Sequence, residues 1–569
     1  MTLGLFWGPH YLNGREIKPL KNPLLGNRED YPVHLQAGWN FLYGEPQDWA
    51  VVLDFGGQFH GHLVLDVESA PGTVLDVAHD ERLREDGLVA LYQTYPFIDN
   101  AERYITAGGR ERIEGFHPRG GRYVQIAVRN AKAPATLRAV QVRNTIYPMR
   151  PDGRFECSDP VLNWTWDTSV KTLRITLDDI WSCDAWRERA LYANDTTVIY
   201  NAAATIWADP AMMRRCLRLW ARSQDADGQI PGVVPAWWGK GRNLFWGHLL
   251  HDHVANTGDA PLLRELWPNV LRLFGNPALW PKSRRGLLDV GAGRQWFDWG
   301  VTPEMELGEN AVLNAMYYGV LRMAASLAEQ VKDRAAGRRL LAEARRIKRA
   351  FQSVWDEQAG RYAATLLDGK LLQQPAPHAN ALALRYGLAD GARARGALPH
   401  VEGFLSDQKY TGPAHFELYY HFWVLEAIYN HGRVALAEHV MRRTWGSLKN
   451  AGAWVLWETF SHSAHKTMQL CQGWSAAPMI AMARRILGVR PVPFKPREVL
   501  IAPTSATLSF ARGAVAHPDG PVEVDWRIQG RGKNSHLELT VRAPRTCKLH
   551  VAPEGPLSKL PLNVTLRKR

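Results

Sequence analysis

The hydrophobic period of this chain changes twice, and that limits its fold more than any other property. From about Trp39 to Val142 apolar and polar residues alternate, as in Val51-Val52-Leu53-Asp54-Phe55-Gly56-Gly57-Gln58-Phe59 and Arg122-Tyr123-Val124-Gln125-Ile126. Successive side chains of a strand point to opposite faces, so such runs between glycine turns read as a hairpin-rich sheet. From Val161 to about Leu487 apolar residues instead recur at helical spacing. After Arg490-Pro491-Val492-Pro493 the alternation returns, for example in Val522-Glu523-Val524-Asp525-Trp526 and Leu537-Glu538-Leu539-Thr540-Val541. The order predicts three domains: a β-sandwich or jelly roll over 1–150, an all-α domain over 151–490 and a small antiparallel β-domain over 491–569.

Ser158-Asp159-Pro160 is a helix start signal, because Asp caps free N–H groups and Pro suits the first helical position. Ten to twelve helical segments follow, among them Asp195 to Ala208, Pro210 to Ser223, Ala311 to Gln330 and His415 to Asn430. That number suits paired concentric helices, an (α/α)6 barrel, whose inner members can be apolar on nearly every face. Thr196 to Trp207 is such a helix. A solenoid would also supply many helices, but no repeat of fixed period is visible.

The 569 residues include 23 tryptophans, at least about twice ordinary usage. Indole faces stack on sugar rings, and large cores also absorb them. The net charge of +13 invites a nucleic-acid reading, but the basic residues are scattered and the densest run, Arg338 to Arg349, fits a solvated helix face. Cys157, Cys183, Cys216, Cys471 and Cys547 form no CxxC pair, against a zinc site or a disulfide framework. No stretch approaches the ~20 apolar residues of a membrane span, and Met1 to Leu20 has no signal-peptide pattern. Neither nucleic acid nor membrane is an expected partner, the expected compartment is the cytoplasm, and the oligomeric state is open.

Two stretches carry chemistry. Ser182-Cys183-Asp184-Ala185-Trp186-Arg187-Glu188-Arg189 runs on to Tyr192 and Asn194-Asp195. Asp195 is expected to cap the following helix, and in a helical segment Asp184, Glu188 and Asp195 would share one stripe. Crowded acids beside aromatic walls keep one carboxyl protonated as an acid catalyst; the alternative is a surface turn in which Arg187 and Arg189 pair Glu188. The second stretch is Gly452-Ala453-Trp454-Val455-Leu456-Trp457-Glu458-Thr459, where a lone acid in an apolar run needs a partner, a ligand or a cavity. Gln472-Gly473-Trp474-Ser475 follows, and Trp296-Phe297-Asp298-Trp299 sets another acid between rings. Trp237, Trp238 and Trp246 are candidate pocket walls, although core packing is the better reading for any single one of them. His248, His251, Asp252 and His253 lack a third ligand on one face, so neither a metal nor another cofactor is expected. No phosphate-binding loop is present.

These residues resemble the bacterial α-L-rhamnosidases of glycoside hydrolase family 78. Asp54-Phe55-Gly56-Gly57-Gln58-Phe59-His60-Gly61 is similar to the family's "DFGQNFAG", Phe155-Glu156-Cys157-Ser158-Asp159-Pro160 to "F.CSDP", and Arg187-Glu188-Arg189 with Asp195 to "DCPxRERLGWTGD". Ser223 to Pro231 resembles "aQ..dGsiP", Phe297-Asp298-Trp299 "FGDW", and Trp457-Glu458 the late "WE". The resemblance implies an inverting exo-glycosidase releasing terminal α-L-rhamnosyl residues, with Glu188 as general acid and Glu458 as general base. It implies a substrate pocket from Asp184, Arg187, Tyr192, Asp195, Trp246, Asp298, Trp299, Trp457, Gln472 and Trp474. Departures fall in the recognition set: Ser182 stands at the family's first Asp, Asp184 at its Pro, Tyr192 at its Trp and Gln472 at a frequent His. Two alternatives follow: an (α/α)6 glycosidase for another deoxy- or uronic-linked sugar, and a carbohydrate-binding relative without turnover.

Overall fold

The computed structural model describes residues 48–90, 100–234, 243–293, 295–406, 414–460 and 468–569, and the backbone of a two-residue pair, Tyr11–Leu12 with Arg15–Glu16. The first alternating region forms one sheet in the order Ala101–Ile105, Val74–Asp80, Arg119–Arg129, Trp49–Ser69, Gly109–Glu114, with Thr136–Asn144 also on Trp49–Ser69. The register of Trp49–Ser69 against Arg119–Arg129 breaks between Asp54 and Phe59, where Gly56 takes φ 72°. Only glycine adopts that conformation at no steric cost. Asp54 secures the bulge by accepting from the Gly56 N–H and pairing with Arg122. Both halves of the long strand feed one core, which includes Trp49, Leu65, Val67, Val77, Val124 and Ile126.

The middle of the chain is helical: α1 Pro160–Thr176, α2 Ala193–Ala203, α3 Ala211–Arg222, α4 Asn243–Thr257, α5 Ala260–Gly275, α6 Ala311–Gln330, α7 Arg334–Ala350, α8 Pro377–Tyr386, α9 Gly391–Ser406, α10 His421–Asn430, α11 Val434–Asn450 and α12 Ala477–Ala481. Asp159 caps α1 as the sequence predicts, accepting from the Val161 and Leu162 N–H groups ahead of Pro160. Burial separates two kinds of helix. Every residue of α2 is buried, whereas α7 buries only Ala336, Gly337, Leu340, Ala344 and Ile347, one stripe at helical spacing. The even-numbered helices pack in series, α2 on α4, α4 on α6, α6 on α8, α8 on α10 and α10 on α12, and α12 returns to α2.

Two local expectations fail. Residues 181–190 are irregular, with Arg189 at φ 45°, so Asp184, Glu188 and Asp195 share no helix stripe. Asp195 lies inside the first turn of α2, which Tyr192 precedes as the cap residue. The C-terminal region is also not purely antiparallel. Leu562–Lys568 runs parallel to His536–Ala543, and Lys548–Val551 parallel to Lys495–Ile501. Arg154–Cys157, just ahead of α1, pairs with Phe510–Val515 as an edge of the C-terminal five-stranded sheet. Alternation within a strand gives no information about the partner that will flank it.

Trp246 belongs to the core and does not wall a pocket. It is fully buried on α4, and its indole N–H donates to the Leu217 carbonyl of α3 at 3.2 Å. Trp246→Ala should therefore cost about 3–5 kcal/mol of stability, read as a lowered urea midpoint, whereas an unchanged midpoint would show that the ring is dispensable to packing.

Candidate active site

The acid-bearing loop is organised by Asp184. Its Oδ1 accepts from the N–H groups of Trp186 (2.8 Å) and Arg187 (2.6 Å), and Oδ2 from those of Glu188 (3.1 Å) and Arg189 (3.2 Å). The Cys183 thiol adds a fifth donor at 2.9 Å. Asp184 is fully buried. A carboxylate with that many donors fixes a turn, and here the turn presents Arg187 and Glu188 together. The expected contact of Asp184 with a sugar is at odds with these filled oxygens.

The second loop comes from the other end of the helical domain. Glu458 donates its backbone N–H to the Gln469 carbonyl at 2.9 Å, and the Gln469 N–H returns to Glu458 Oε2 at 2.9 Å. The Trp474 indole donates to the Glu458 carbonyl at 3.1 Å, and the Ser475 hydroxyl to that of Trp457 at 2.5 Å. The two loops are joined: the Gly473 N–H donates to the Cys183 carbonyl at 3.0 Å, and the Gln472 side chain to Asp195 Oδ1 at 3.0 Å.

Arg187 lies between the two glutamates. Its Nη2 is 3.5 Å from Glu188 Oε1 and 3.4 Å from Glu458 Oε1. Oxygens at 3.5 Å and 3.4 Å from one nitrogen cannot be more than 6.9 Å apart. Residues separated by 270 positions thus present their carboxyls to one small volume. Their settings differ. The Glu188 side chain keeps 14% exposure and that of Glu458 2%. Burial raises the Glu458 pKa above the ordinary carboxylate range, opposed by the Arg187 charge, the Gln469 N–H and a hydrogen bond from the Trp299 side chain.

Aromatic rings border Glu458. Trp296 stacks on Trp474 at 6.1 Å and 12°, meets Trp299 at 5.4 Å, and Tyr419 lies 4.9 Å from Trp474. Trp299, at 42% exposure, is the open ring of this group. Asp298 is occupied differently from the expected sugar acceptor: its Oδ1 accepts from the Trp299 N–H (2.9 Å), and Oδ2 from the His378 ring (2.7 Å) and the Glu417 N–H (3.2 Å). It holds Trp299 in place. Tyr192 is buried beside Cys183 and Val233, and Trp457 is buried next to Glu458. Trp237 and Trp238 lie outside the described residues.

Sequence reasoning missed Gln469, because its role is carried by backbone groups. It also missed His415 and Glu417. The His415 ring meets Glu417 Oε1 at 2.9 Å, and Glu417 Oε2 accepts the Phe460 N–H at 3.2 Å, two residues beyond Glu458. A His and a Glu two positions apart in the aromatic run His415-Phe416-Glu417-Leu418-Tyr419 were the available signal. The four residues read as a partial metal set pair separately: His248 and His251 with Asp252, His253 with Asp259. Cys183, Asp184 and Glu188 bring ligand atoms within 4.8 Å of one another. Burial and the neighbouring acids raise the Cys183 thiol pKa, and in this arrangement the thiol acts as a donor to Asp184.

The N-terminal sheet presses on the acid loop. A Cβ on Gly120 would lie 1.8 Å from the Ala185 carbonyl oxygen, and the Pro118 carbonyl accepts from the Arg189 guanidinium.

Comparison with known proteins places the chain in a family. The family model of the bacterial alpha-L-rhamnosidase 6 hairpin glycosidase domain matches residues 150–485, and that of the bacterial alpha-L-rhamnosidase concanavalin-like domain residues 45–143. The chain belongs to the bacterial α-L-rhamnosidase family. An α-L-rhamnosidase of Streptomyces avermitilis is 24% identical over 529 residues, covering 86% of this chain and 47% of the relative. The chain spans less than half the length of the curated relatives it matches. The crystal structure of the GH78 family rhamnosidase of Bacillus sp. GL1 superposes with a TM-score of 0.84 at 26% identity, over 97% of this chain and 57% of that one. A Klebsiella oxytoca rhamnosidase with rhamnose bound superposes with a TM-score of 0.66 at 19% identity, over 78% of this chain and 88% of that one. No described helix is long and apolar enough to cross a membrane.

Gly120→Ala is expected to displace the loop that carries Asp184 to Arg189 and to lower turnover of an aryl glycoside about 100-fold, the scale of an ångström misplacement. Steady-state kinetics beside circular dichroism would check this; parental turnover would show that the contact is irrelevant.

Proposed function

We propose that the protein is an inverting, exo-acting α-L-rhamnosidase that hydrolyses terminal rhamnosyl residues of glycosides or polysaccharide fragments. The observation that carries this reading is the pair of glutamates on opposite loops sharing Arg187. In the proposed reaction Glu188, the more exposed carboxyl, protonates the glycosidic oxygen, and Glu458 takes a proton from the attacking water. Arg187 opposes the effect of burial on Glu458 and orients Glu188. Trp299 and Trp474 flank the ring, and Gln472 with Asp195 offers polar atoms to sugar hydroxyls. The returning series of even-numbered helices is read as the inner ring of an (α/α)6 barrel. A different deoxy or uronic sugar is the second reading, supported by the filled oxygens of Asp184; a panel of aryl glycosides separates the two.

Glu188→Gln and Glu458→Gln should each reduce kcat by about 10²- to 10⁴-fold, with different leaving-group dependence. Loss of the acid is mildest for a nitrophenyl rhamnoside, whose leaving group needs little protonation, while loss of the base affects all substrates alike. Two variants with parental turnover would refute the assignment.

The pH profile carries a sign. A general base must be ionised, and burial raises the Glu458 pKa, so the acidic limb of kcat/KM should lie above the ordinary carboxylate range. Arg187→Met removes the opposing charge and should move that limb further up. A limb that stays put or moves down would exclude Glu458 as the group observed.

A further inference from the structure

We propose that Glu81 and Arg82, supplied by the N-terminal sheet domain, are positioning residues for Glu458. The inference rests on the reading of Glu458 as the general base and extends the site across a domain boundary. Both residues follow the strand Val74–Asp80 directly. Glu81 is 3% exposed, and its Oε2 accepts the Leu470 N–H at 2.5 Å. The Arg82 guanidinium donates to the Met468 carbonyl. Between these two anchored residues stands Gln469, whose N–H binds Glu458 Oε2 and whose carbonyl accepts the Glu458 N–H. One backbone segment therefore has one side pinned by the sheet domain and the other bonded to the carboxylate. Removing either anchor frees the donor that aims Glu458.

Glu81 also gives the contact a pH dependence. Gln58, from the bulged strand, donates to its Oε1 at 3.1 Å. The charged and titratable groups acting on it are Arg82 and Asp80 on its own segment and Asp184 on the acid loop, and its carboxyl in turn acts on Cys471 beyond Leu470. Burial outweighs Arg82 and pushes Glu81 up to about 8. A carboxyl whose pKa is higher when docked favours the docked state at low pH. Between the ordinary glutamate range and about 8 the docked state should lose up to about tenfold per pH unit, and above that the loss levels off.

The test uses the full chain and two readouts. Glu81→Ala and Arg82→Ala should lower kcat on an aryl α-L-rhamnoside by about 10- to 100-fold with KM little changed, and Glu81→Gln, which still accepts from Leu470, should restore most of that activity. Amide hydrogen exchange of the segment 468–472, expressed as a protection factor from pH 5.5 to 8.5, should fall with pH in the parent and lose that slope in Glu81→Gln. The exchange arm judges the docking even if the parent cleaves no rhamnoside, which would instead refute the proposed function. Parental kcat in both alanine variants, no rescue by glutamine in a folded protein, or equal pH slopes in parent and Glu81→Gln would each overturn the proposal.

Discussion

The site depends on one guanidinium shared by two carboxylates. Arg187 is itself buried, and a buried cation is costly without partners. It pairs with Glu188 and Glu458, and Asp184 holds its backbone. Removing one partner of such a group leaves the rest uncompensated, so the three side chains form one electrostatic unit. This also explains how an acid can stand in the apolar run Ala453 to Thr459. Glu458 is stabilised by a residue 271 positions earlier in the chain and by a backbone N–H eleven positions later.

Neither loop is held by the helical domain alone. The acid loop has the Arg119–Arg129 strand against Ala185, and the segment facing Glu458 is pinned from the end of Val74–Asp80. Gly57, in the bulge of the long strand, leaves room for the Trp454 ring, where a Cβ would come within 2.6 Å. The sheet domain therefore buttresses both halves of the candidate site. Arg154–Cys157 joins the edge of the C-terminal sheet before α1 begins, so the chain enters the helices from that sheet. The activity proposed here belongs to the arrangement of these layers.

Much of this was legible in the sequence, for identifiable reasons. The switch between periods two and 3.6 marked the β, α, β order, because periodicity is set by which face is buried. The cap at Asp159 and the apolar α2 followed from local chemistry. Glu188 and Glu458 were visible as acids among rings and cations. The role of Asp184 was hidden, since a carboxylate that accepts four backbone N–H groups has the same letter as one that binds a sugar. Trp246 and Trp299 were equivalent in sequence, yet one is sealed between α3 and α4 and the other stands open. Glu81 lies nearly four hundred residues from the segment it holds, and nothing local announces such a contact. The parallel strand pairs and the edge position of Arg154–Cys157 were likewise set by partners far along the chain.

The central claim is that Glu188 and Glu458 act from opposite sides of one sugar, with a water between them. Proton NMR of the first sugar released from an aryl α-L-rhamnoside tests it most directly, before mutarotation mixes the anomers. Water delivered from the face opposite the leaving group must yield β-L-rhamnose first. Initial appearance of the α anomer would mean that one glutamate attacks the sugar itself, and the acid–base pairing described here would be wrong.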